Sequence, residues 1–114
     1  MSTFEGSAFS KPLVSQLLAE DADLRDIVEE FVDNLTERVE EMQQAFQKTD
    51  WEMLTTFAHR LKGAAGSYGY PDISKLCAEM EQRFRAHEAE AFTAWMAELN
   101  QLAGAAREGL TEEP

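Results

Sequence analysis

The sequence predicts an all-α fold, an antiparallel up-down-up-down four-helix bundle with a short additional helix at its N-terminus. Three observations carry that prediction. Apolar residues recur every three or four positions through most of the chain, the spacing that collects one face of a helix. No stretch alternates apolar and polar residues as a half-buried strand would. The connections between periodic segments are only a few residues long, which favours antiparallel neighbours.

Phe9, Leu13, Val14, Leu17 and Leu18 give a short leading helix that ends at the acidic turn Glu20 to Asp23. Leu24, Ile27, Val28, Phe31, Leu35, Val39, Met42 and Phe46 then form one stripe across residues 22–48, without Gly or Pro, so one long amphipathic helix is expected. Thr49-Asp50-Trp51-Glu52 has the form of a capping box, which starts the next helix near residue 50. That helix should stop at Gly69, with Pro71 and Asp72 opening another. The new helix has the stripe Ile73, Leu76, Cys77, Met80 and Phe84 and breaks at residues 85–90. The last helix carries Phe92, Trp95, Met96, Leu99, Leu102, Ala103 and Ala106 and is expected to end around Gly109, before a polar tail.

A chain of 114 residues is one domain on size, with an ordered core expected over roughly 8–110. No run approaches the roughly 18 apolar residues of a membrane helix, and the N-terminus lacks a basic region followed by an apolar one, so a cytoplasmic location is expected. The lone Cys77 excludes an intrachain disulfide and a cysteine-based zinc site, and it should pack as a small apolar residue. A net charge of -12, from 22 acidic and 10 basic residues, opposes nucleic acid as a partner and suits a solvated monomer.

The chemistry concentrates at His59. At about 100° per residue, Glu52, Thr55, Thr56, Lys62, Gly63 and Gly66 share its face, opposite Leu54, Phe57, Leu61, Ala64, Ala65 and Tyr68. A buried histidine would fall on the second set. Two glycines within a helix cost roughly 1 kcal/mol each against alanine, so Gly63 and Gly66 beside an exposed imidazole read as room for a bulky partner. Lys62, one turn along, would favour an anion on the ring. A metal-binding bundle would need Glu-x-x-His pairs, and neither His59 nor His87 has a Glu three residues before it. No hydrolase nucleophile motif and no nucleotide-binding loop occurs either, so the chain is expected to be a poor enzyme when alone. His87 reads as an exposed cap at a helix end.

His59-x-Leu61-Lys62-Gly63-Ala64-Ala65-x-x-x-Gly69 resembles the signature of histidine-containing phosphotransfer (HPt) domains of phosphorelays. Tyr68 departs from the aliphatic residue more usual there. The resemblance implies that His59 Nε2 accepts a phosphoryl group from the aspartyl phosphate of a response-regulator receiver domain and passes it to another receiver. It implies Lys62 as the stabilising cation, and Glu81, or alternatively Gln82, as the residue orienting the ring. Arg60, Gly63, Gly66 and Ser67 would meet the partner, with Arg60 at the rim. The chain would carry no cofactor of its own, Mg2+ being held by the receiver. A hybrid histidine kinase is a further expected partner. The alternatives are a module that binds receivers without transfer, and the phosphoacceptor domain of a larger histidine kinase.

Overall fold

The computed structural model describes residues 12–111. Among them lie six α-helices: α1 (Gln16–Glu20), α2 (Arg25–Asp33), α3 (Leu35–Gln47), α4 (Trp51–Ser67), α5 (Pro71–Arg85) and α6 (Phe92–Thr111), with a 3-10 turn at Ala22–Leu24. The α2–α3 arm, α4, α5 and α6 make the four members of the bundle, since α3 meets α4 and α6 while α5 joins α4 to α6. Phe9 and the polar tail after Thr111 lie outside the described residues.

The leading helix is shorter than its apolar spacing suggested. Ser15 is extended, and its hydroxyl accepts from Leu18 N at 3.0 Å, so winding begins only at Gln16. Leu13 and Val14 precede the helix, and Val14 is 55% exposed. α1 lies across the bundle end formed by the α4–α5 turn. Gln16 N donates to Gly69 O, the Ser15 hydroxyl donates to Tyr68 O, and Leu13 N donates to Ala105 O of α6.

The long helix expected over 22–48 is divided at Asn34. Asn34 N still donates to Glu30 O, and Arg38 N to Asn34 O, with Asn34 at φ -86° and ψ -4°. The chain keeps its helical sense but loses its even winding, and the buried stripe shifts. Val32 and Ala45 enter the core, while Ile27 is 42% and Phe46 38% exposed. Phe46 instead stacks on Phe92, ring centroids 3.9 Å apart.

Three helices end in the same way. Thr49 (φ 53°), Gly69 (φ 87°) and His87 (φ 58°) each take the left-handed conformation just past α3, α4 and α5. Thr49 N bonds to Phe46 O and Asp50 N to Ala45 O; Gly69 N to Gly66 O and Tyr70 N to Ala65 O; His87 N to Phe84 O and Glu88 N to Arg83 O. This paired pattern satisfies carbonyls that a helix terminus leaves open. It also corrects the expected capping box. Thr49 is committed to closing α3, so Asp50 caps α4 instead, its Oδ1 accepting from Met53 N at 3.0 Å.

Gly109 does not end the last helix, which continues to Thr111. The bare Cα is needed for packing, because a Cβ there would run into the Leu13 carbonyl oxygen. Arg25 closes the same end, donating from Nη2 to Leu110 O and from Nε to Glu29. The core between the helices is apolar, with Val28, Leu35, Met42, Leu54, Ile73, Met80, Phe84 and Leu99 fully buried. Cys77 lies among them, and burial pushes its thiol up to about 12.

Candidate functional site: an exposed imidazole on a buried carboxylate

α4 holds His59 near its middle, away from either end. Leu54, Ala58, Leu61 and Ala65 anchor the helix to the core, and the opposite face carries the imidazole, whose side chain is 63% exposed. Glu52, Gly63, Gly66 and Ser67 are exposed on or beside that face. Space around Gly63 is open, with no atom within 4 Å of where a Cβ would stand. Gly66 is nearer α5, its would-be Cβ lying 3.5 Å from Ser74 Oγ, a hydroxyl that donates to Lys62 O. Arg60 is exposed and turned toward α3, where it lines a groove of about 370 Å³ with Phe31, Arg38, Phe57 and Leu61.

Across the α4–α5 contact lies Glu81, a charged side chain only 5% exposed in an otherwise apolar stripe. Its Oε2 is 3.0 Å from His59 Nδ1 and also accepts from Arg85 Nη2. Its Oε1 is 2.8 Å from Lys62 Nζ. A buried carboxylate costs free energy unless it is paired and hydrogen-bonded, and here three donors meet it. The Lys62 hydrogen bond, with those of Arg85 and His59, holds the carboxyl down at about 2, although burial alone would raise it.

An ionised carboxylate only accepts hydrogen bonds, so the ring nitrogen facing it carries the proton. Nδ1–H is thereby fixed toward Glu81, and the Nε2 lone pair of the neutral ring is directed to the exposed side. The arrangement can present a nucleophile of fixed tautomer and orientation.

Of the sequence-predicted residues, the structure brings together His59, Lys62 and Glu81. Gln82 is exposed, and the carboxylate that meets the ring is that of Glu81. Lys62 was expected as a cation waiting for an anion beside the ring; its ammonium is already paired with Glu81. Sequence reasoning missed Arg85, which it placed in the break after α5. The signal was available, since a glutamate and an arginine four apart share a helix face. His87 is exposed, just past the end of α5, and stacks on Trp51 at 5.0 Å. Among the described residues no group of three or more His, Cys, Asp or Glu could hold a metal ion, and no helix is long and apolar enough to cross a membrane.

A family model described as the Hpt domain matches residues 26–109. The fold is similar to the crystal structure of the HPT domain from an Hpt sensor hybrid histidine kinase of Shewanella, with a TM-score of 0.66 and 24% identity, covering 83% of this chain and 86% of that one. No curated protein matches the chain.

Proposed function

The chain belongs to the Hpt domain family, and on that premise we propose that it is a phosphorelay carrier: His59 accepts a phosphoryl group from a receiver-domain aspartyl phosphate and returns it to another receiver. Family membership supports phosphotransfer in two-component signalling as the setting. The observation that carries the residue assignment is the pairing of an exposed ring with a buried, ionised acceptor on Nδ1, which leaves Nε2 toward solvent.

In this reading the Nε2 lone pair attacks phosphorus while the bond to the partner's aspartyl oxygen breaks. Glu81 keeps the ring at one angle, and Lys62, hydrogen-bonded to the same carboxylate, supplies a cation for the equatorial oxygens. The open space over Gly63 lets the partner's active site approach. The cations beside His59 suit a phosphoryl group and offer Mg2+ no ligand set, so we assign Mg2+ to the receiver. Arg60, Ser67 and the α3–α4 groove flank the same face and would serve as the docking rim.

The test is transfer of label from phosphorylated receivers to the intact chain. Label on the native protein, lost in His59→Gln, is the expected result; label retained by that variant would defeat the assignment.

A further inference from the structure

Glu81 and Arg85 are more than a support for the ring. We propose that this pair sets how readily phosphorylated His59 gives up its phosphoryl group, Glu81 by holding the Nδ1 proton on the ring throughout the cycle and Arg85 by limiting that hold. The inference rests on the reading of His59 as the phosphoacceptor.

When Nε2 attacks, its lone pair forms the bond to phosphorus, and the electrons of the broken P–O bond leave with the partner's carboxylate. The ring already bears a proton on Nδ1, so the product is a phosphoimidazolium. In the return step the P–N electrons go back to Nε2 and a neutral imidazole departs. No proton need enter or leave. If the Nδ1 proton is lost in between, the ring would have to depart as an imidazolate, a far poorer leaving group, and the phosphoryl group is stranded.

Retention of that proton depends on what faces it. Glu81 Oε2 stands 3.0 Å from Nδ1 and is shielded from water, so its negative charge stabilises the positive ring with little screening. Arg85 Nη2 binds the same oxygen, which draws electron density from it and sets a second positive charge close to the ring. Lys62, on the other oxygen at 2.8 Å, acts in the same sense as Arg85. Among the described residues, Glu81, Arg85 and Lys62 are the charged groups that meet the ring or its carboxylate; on the α3 flank Arg38 and Glu41 pair with each other at 2.8 Å. A glutamine at position 81 could still accept from Nδ1–H and hold the ring angle, but it would lack the charge.

Glu81 and Arg85 therefore act on the phosphorylated ring with opposite signs, a signature that loosened packing would not produce. The experiment labels the native chain, Glu81→Gln and Arg85→Ala with phosphoramidate and follows loss of the phosphoryl group from pH 5 to pH 10. Native protein should remain labile to higher pH than Glu81→Gln, whose profile moves down by roughly one pH unit or more. Arg85→Ala, with its exposed side chain removed, should move the profile up. Coincident profiles, or shifts of both variants in one direction, would overturn the inference while leaving His59 as the acceptor. Absence of label at His59 in the native chain would overturn both.

Discussion

Lys62 and Glu81 form an ion pair in which the lysine ammonium, one turn from His59, lies 2.8 Å from a carboxylate oxygen that water barely reaches. The lysine is thus shared between the protein's own carboxylate and any incoming anion. Lys62→Ala should slow receiver-dependent labelling without abolishing it. It should also destabilise the fold by about 1–3 kcal/mol, because a buried acceptor loses one of its donors. Label transfer and urea unfolding measure the two effects, and an unchanged transfer rate would leave Lys62 a purely structural role.

His59→Gln should destabilise the fold by no more than about 1–3 kcal/mol, because the ring is exposed but supplies one of the donors to the buried Glu81 carboxylate. Label transfer should fall to background. A large loss of stability would show that the ring's bond to Glu81 is chiefly structural.

Acid should unfold the native chain partly through Glu81. Its carboxyl titrates at about 2 in the folded state against an ordinary 4.5, so the unfolded chain binds its proton first. The stabilisation is fully present above the unfolded value and is lost as pH falls through 4.5 toward 2. Denaturant midpoints measured between pH 2 and pH 6 should therefore drop less steeply in Glu81→Gln. Parallel curves would mean that the three donors do not hold the carboxylate in solution.

Two glycines of α6 should respond oppositely to alanine. Gly104 has no atom within 4 Å of a would-be Cβ, whereas at Gly109 the Leu13 carbonyl is in the way. Gly104→Ala should stabilise by up to about 1 kcal/mol through helix propensity, and Gly109→Ala should destabilise by about 1–3 kcal/mol through overpacking. Thermal melts of the pair decide it; equal effects would mean that the leading segment does not rest on α6.

Gly63→Leu should weaken receiver binding at least tenfold while changing folding by under about 1 kcal/mol, since its surroundings are open. Titration of a receiver with the native and variant chains supplies the comparison. Unaltered affinity would place the docking surface elsewhere.

Much of this could be seen in the sequence, because the signals were local. Gly69 and Pro71 punctuate the α4–α5 turn wherever the rest of the chain lies, and the angular distance between His59 and Leu61 already separates a wet face from a dry one. The division at Asn34 carries no such sign, since the residue stays in the right-handed helical region and neither glycine nor proline marks it. Without it, Ile27 and Phe46 look as buried as Val28 and Met42. The choice between Thr49 and Asp50 as cap turned on how the preceding helix ended, and both residue types suit either role. Gly109 read as a stop because the atom that requires its bareness, Leu13 O, comes from the far end of the chain. At the site, His59 and Lys62 were visible from spacing; that one carboxylate would gather them with Arg85 depended on how α5 is rotated against α4.

The strap formed by Leu13, Ser15 and Gln16 is fastened to Ala105, Tyr68 and Gly69, all at one end of the bundle. If that strap peels away, the last turn of α4 is the part exposed to unwinding. His59 sits about two helical turns upstream, with its ring tied sideways to α5. Amide exchange should accordingly be quick around Ser67 and Tyr68 and slow around His59, so that the protein can breathe at its tip while its reactive group stays in register.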